Sequence, residues 1–144
     1  AETGHGRMVY GLIAALSQAR DGGYRISMKT STRPHATQVM IDADDVTLIG
    51  DLTLLPDVTA IVIFAHGSGS SRHSPRNHSV ARVVQHAGLG TLLFDLLTRE
   101  EEEREARTGR LRFDIAFLAR RLMAATRWLQ EQPGLHAARI GYFG

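Results

Sequence analysis

The run Ala60-Ile61-Val62-Ile63-Phe64-Ala65 passes directly into His66-Gly67-Ser68-Gly69-Ser70-Ser71. Six consecutive apolar residues leave no polar face to turn toward water. That is the pattern of a central parallel strand buried on both sides. Glycine and serine then break the strand and let the backbone approach a neighbour without a Cβ clash.

Upstream, residues 38–42 and 46–54 read as two strands around the tight turn Ala43-Asp44-Asp45. Val46, Leu48, Leu52 and Leu54 share one parity, as on a half-buried strand. Downstream, Ser74, Pro75 and Gly88 have the chemistry of a helix start, first turn and end. Val80, Val83, Val84 and Ala87 are its expected buried face.

Residues 91–95 form the next expected buried strand, and residues 98–108 are strongly charged. The run from Glu100 to Glu103 reads as a solvated face beside Arg99, Arg104 and Arg107. A long helix is expected over 112–132, with Ile115, Leu118, Leu122, Ala125 and Leu129 at core spacing. Phe117 and Trp128 read as core, and Pro133-Gly134 ends the helix. A last strand occupies 139–143, followed by Gly144.

This order is hairpin, strand, helix, strand, helix, strand. It predicts an α/β fold: an antiparallel hairpin leading into a mostly parallel sheet, with flanking helices and right-handed crossovers. Residues 36–144 are assigned to this domain. Residues 1–35 read as an extension or linker, helix-compatible over 7–20, and carry no assigned function.

Composition bounds the partners. A chain of 144 residues, 43% hydrophobic, suffices for one domain with a sizeable core. A net charge of +2 gives no electrostatic case for nucleic acid. The longest apolar run, Ala60–Ala65, is far below the ~20 residues of a membrane helix. The apolar stretch over 8–16 lacks the basic start and cleavage site of a signal peptide. With no cysteine there is no disulfide, thiolate metal site or cysteine nucleophile, which suits a cytoplasmic protein.

A buried strand ending in His66-Gly67-Ser68-Gly69 resembles the oxyanion loop of α/β-hydrolases. The next strand ends at Asp95, and the long helix leads into Arg139-Ile140-Gly141-Tyr142-Phe143-Gly144. In that family the corresponding strand feeds the nucleophile elbow, G-x-S-x-G, with Gly144 matching its first glycine. The stretch from Phe64 to Asn77 is similar to the dienelactone-hydrolase-like subgroup, sometimes fused to phosphoribosyltransferase domains. Leu96-Leu97-Thr98 with its glutamates, and Leu111-Arg112-Phe113-Asp114, fit the same subgroup.

The resemblance implies the N-terminal part of an α/β-hydrolase fold over about residues 36–144. It implies hydrolysis of a small-molecule ester, lactone or thioester by a serine nucleophile, with no cofactor. The family's serine, acid and histidine follow the elbow strand in that order, and no G-x-S-x-G occurs in this sequence. Within Gly67-Ser68-Gly69-Ser70, Gly69 stands where serine is required. The 144 residues alone are therefore expected to be inactive. The alternative is a non-catalytic α/β module that self-associates through an exposed sheet edge.

The resemblance makes the Ser68 backbone amide one oxyanion donor; losing such a donor costs ~3 kcal/mol in a protease. A plain strand-to-helix turn and a phosphate cradle are the competing roles for this loop. The dinucleotide fingerprint requires a third glycine where Arg72 stands. Arg72, His73, Arg76 and Asn77 crowd the start of the next helix. They either bind an acidic substrate group or cap the loop and pair with Asp95 or Asp114. Asp95 ends a strand where α/β sheets place their sites; it either lines the pocket or satisfies loop amides. His66, His73 and His78 lack the spacing of a zinc-binding helix, so no metal is expected.

Overall fold

A computed structural model describes residues 35–66 and 70–144. The expectations placed on residues 1–34, and on the geometry of Gly67, Ser68 and Gly69, lie outside the described residues. Among the described residues, the strands are β1 (Ala36–Ala43), β2 (Val46–Thr53), β3 (Ala60–Ala65), β4 (Gly90–Phe94) and β5 (Arg139–Phe143). The helices are α1 (Pro75–His86), α2 (Arg99–Thr108) and α3 (Ile115–Glu131), with a 3-10 turn at Leu111–Phe113. The sheet order is β1-β2-β4-β3-β5. β1 and β2 pair antiparallel, as do β2 and β4, whereas β3 runs parallel to both β4 and β5.

The hairpin forms as its sequence predicts. Ala43 pairs with Val46, so Asp44-Asp45 is a two-residue turn. Asp44 takes a φ of 57°, a left-handed conformation that Asp tolerates better than most residues. Alternation then sends Ile41, Ala43, Leu48 and Leu52 inward, while Met40 and Ile49 pair on the exposed face. β3 and β4 have no wet face: Ile61 to Phe64 and Leu92 to Phe94 are all buried. Each such side chain contributes about 1.5–3 kcal/mol of burial free energy.

One core layer joins Ile41, Leu48, Ile61, Ile63, Leu92 and Phe94 to Ala124, Ala125 and Leu129 of α3. α3 packs against β1, and α1 packs against β4. The buried face of α1 matches expectation at Val84 alone; Val80 is half-buried and Ala87 exposed. That face is Asn77, Ala81 and Val84, while Val83 is 55% exposed.

α3 begins at Ile115 rather than at residue 112, because Leu111–Phe113 closes a 3-10 turn. Asp114 then caps the helix by accepting from the Phe117 amide at 2.9 Å. Ile115 is consequently exposed; Leu118, Leu122 and Trp128 pack half-buried against the core. The buried positions of α3 include Arg121, which periodicity alone assigns to solvent.

Candidate functional site

The carboxyl ends of β3, β4 and β5 meet at one edge of the sheet. Ala65 pairs with Phe94 on one side, and Phe64 pairs with Phe143 on the other. The rings of Phe64 and Phe143 lie 5.1 Å apart, tilted by 48°, and fix these two strand ends together. His66 therefore emerges beside Asp95, and Gly144 leaves the sheet against Ala65. A Cβ at Gly144 would meet the Ala65 carbonyl oxygen at 2.6 Å, so only glycine fits without a shift.

His66 Nε2 accepts a hydrogen bond from the Leu96 amide at 3.2 Å. The same nitrogen is 3.8 Å from Asp95 Oδ1, beyond hydrogen-bonding distance. Asp95 spends its carboxylate on Arg72 instead. Oδ1 accepts from the Arg72 backbone amide at 2.8 Å, and Oδ2 accepts from Arg72 Nη1.

Arg72 Nε lies 3.4 Å from Asp51 Oδ2 on β2. The contact is an ion pair without hydrogen-bond geometry, and this Nε is a buried side-chain atom lacking a hydrogen-bond partner. Of the cluster at the start of α1, Arg72 thus turns inward. His73 and Arg76 are exposed, the His73 amide donating to Ser71 Oγ at 3.2 Å, and Asn77 is buried beneath α1.

A cleft of about 350 Å³ opens at these strand ends. The β3–α1 connection brings His66, Ser70 and Ser71 to it, and the β4–α2 connection brings Leu96 and Leu97. α2 supplies Glu102, Glu105 and Ala106, joined by Arg112 and Leu118. Of the candidate side chains His66, Arg72, His73, Arg76 and Asp95, His66 lines this cleft, and Asp95 and Arg72 form the ion pair beside it.

The glutamate run is not a uniformly solvated face. Arg99 and Glu103 do pair at the surface, at 3.2 Å. Glu101, however, is buried and accepts from Arg121 Nη2 at 2.8 Å. Its other oxygen accepts from the Thr98 amide at 2.8 Å, while Thr98 Oγ1 accepts from the Glu101 amide, completing a capping box. Arg121 Nη1 also donates to the Ala43 carbonyl, and its guanidinium stacks 4.9 Å from the Phe117 ring centre.

Glu105 is buried as well. It accepts from the Leu111 amide at 2.8 Å, the Arg112 amide at 3.1 Å and Arg112 Nε at 2.8 Å. Burial raises the pKa of its carboxyl, but these three donors outweigh that and hold it below the ordinary glutamate value. α2 is therefore moored by two buried carboxylates rather than by an apolar face. The mooring was legible only at Thr98-x-x-Glu101, which has capping-box spacing; nothing in the sequence pointed to Arg121 or Arg112 as partners.

Among the described residues, no group of three histidine or acidic side chains is arranged to hold a metal ion, and no helix is long and apolar enough to cross a membrane.

No protein-family model matches the chain. Two Mycobacterium tuberculosis proteins, from strains CDC 1551 and H37Rv, each provisionally named a phosphoribosyl transferase, are 50% identical to it over 107 residues. That match covers 74% of this chain and 23% of theirs. The crystal structure of dienelactone hydrolase from Anabaena variabilis ATCC 29413 matches with a TM-score of 0.74 and 54% identity. It covers 77% of this chain and 51% of that one. P91, a dienelactone hydrolase-like promiscuous phosphotriesterase from metagenomic libraries, shares the fold alone, at 19% identity and a TM-score of 0.54 over 74% of this chain and 47% of its own.

The mixed five-stranded sheet with flanking helices is that of an α/β-hydrolase. Within that superfamily the chain is similar to dienelactone hydrolase and dienelactone hydrolase-like proteins, and it spans about half the length of the Anabaena enzyme.

Proposed function

We propose that the protein carrying this sequence hydrolyses a carboxylic ester, lactone or thioester with a serine nucleophile. The observation that carries this assignment is the contact of Gly144 with the end of β3 at Ala65. The segment 67–69 leaves from β3, and in this family the elbow leaves from the strand that β5 matches. An oxyanion hole needs one amide from each, and adjacent parallel strands deliver both to one point.

In the proposed cycle, the serine two residues past Gly144 attacks the substrate carbonyl carbon. A histidine takes its proton, and an acid orients that histidine. The Ser68 amide and the amide after the serine hold the oxyanion. Collapse expels the alcohol, or the thiol, with the proton from histidine. Water then attacks the acyl-serine with the same histidine as base, releasing the acid and restoring serine. The cycle needs no cofactor.

The cleft beside Leu96, Leu97 and Leu118 is apolar enough to accept an acyl chain, and Ser70, Ser71 and His66 give it a polar side. Phosphate binding at Gly67-x-Gly69 gains no support. The position of the third fingerprint glycine is Arg72, whose backbone and guanidinium both go to Asp95.

The test is turnover of p-nitrophenyl acetate, a small lactone and an acyl thioester by the full-length protein. Saturable hydrolysis of at least one, abolished by a serine-directed fluorophosphonate, is expected. Turnover no faster than buffer on all three would end the proposal.

A further inference from the structure

We infer that Asp95 is a positioning residue, acting through Arg72 to fix residues 70–72, ahead of α1, against the segment that follows β4. This rests on the hydrolase assignment above and names what holds Ser70 and Ser71 at its cleft. The geometry is unlike an ordinary surface ion pair, which holds only a side chain. Asp95 takes both the backbone amide and the guanidinium of one residue, so it fixes the main chain at Arg72. His66, at the end of β3, is tied to the neighbouring position: its Nε2 receives the Leu96 amide. Residues 66 and 72 are thus both fastened to the dipeptide Asp95-Leu96, and Ser70 and Ser71, between the ties, face the cleft.

The charges suit holding better than catching. Arg72 has Asp95 on one side and Asp51 on the other, and all three side chains are largely buried, at 14%, 14% and 23% exposure. Two carboxylates around one guanidinium cancel its attraction for a substrate anion. Charge-assisted bonds in a partly dry setting are stronger than neutral ones. Their loss lets a loop drift, and a displacement of ~1 Å at a reacting centre can cost about 100-fold in rate.

The experiment compares full-length parent, Asp95→Asn and Arg72→Lys for kcat and KM on the best ester, with thermal unfolding alongside. Asp95→Asn keeps a carbonyl oxygen for the Arg72 amide but turns an NH2 toward the guanidinium. The expected result is a kcat lowered roughly 10- to 100-fold at a KM within about threefold of the parent, in a folded protein. Arg72→Lys retains the backbone bond and the charge, so its kcat is expected between the two. An unchanged kcat in folded Asp95→Asn overturns the inference while leaving the hydrolase assignment intact. So does a raised KM at unchanged kcat, which would make Asp95 a substrate contact. If Asp95→Asn does not fold, Arg72→Lys decides by the same criteria. A parent that hydrolyses nothing removes the hydrolase assignment and this inference with it.

Discussion

A Cβ at Gly144 would lie 2.6 Å from the carbonyl oxygen of Ala65. Ala65 ends the strand that leads into His66-Gly67, and Gly144 follows the strand beside it, so the contact sets how closely the two strand ends approach. Replacing Gly144 by alanine must push the two strand ends apart. Overpacking of this kind costs about 1–3 kcal/mol. Urea unfolding of the Gly144→Ala protein should show a lowered midpoint, and its ester turnover should fall further than the stability loss explains. A variant as stable and as active as the parent would show that the close approach has no role.

The Glu101–Arg121 pair should be a major structural tie. Removing one partner leaves a buried charge uncompensated, at a cost of about 3–5 kcal/mol. Both Arg121→Met and Glu101→Gln should therefore be strongly destabilised in denaturant unfolding. The double variant should lose less than the sum of the two, because neither charge then remains buried. Additive losses would mean that the 2.8 Å contact contributes little.

Acid should loosen α2. Burial raises the pKa of Glu105, but hydrogen bonds from the Arg112 side chain and the Leu111 and Arg112 amides outweigh it, so the folded value lies below the reference of 4.5. A carboxyl with a depressed folded pKa binds fewer protons folded than unfolded. Its stabilisation is complete above 4.5 and is lost as pH falls through the lower folded value. Arg112→Ala removes one donor, so the Glu105 titration followed by NMR should move upward. Acid unfolding should then begin at a higher pH than in the parent. An unmoved titration would contradict the role given to Arg112.

Much of the architecture was legible because apolar runs and turn residues carry it. The unbroken Ala60–Ala65 run could only be an inner strand, and Asp44-Asp45 could close a hairpin. Helix faces were harder to read. Val83 attracts attention as an apolar residue, yet the smaller Ala81 takes the place against the sheet. Arg121 was invisible because a charged side chain counts as outward unless a carboxylate from elsewhere reaches it, and Glu101 lies 20 residues away.

The strand ends at which His66 and Asp95 fall were legible from the apolar runs that precede them. Pairing of Arg72 with Asp95 stood as one of two roles. Asp51 was missed, since nothing local marks a strand residue as the neighbour of a loop 21 positions on, and only the sheet order brings it there.

The most direct measurement is fluorophosphonate labelling of the full-length protein, with the modified peptide mapped by mass spectrometry. A single labelled serine is expected at the second residue past Gly144, and labelling should vanish when that serine is changed to alanine. No labelling of active protein, or a label on Ser70 or Ser71 within the cleft, would contradict the assignment of the nucleophile to the strand end beside Ala65.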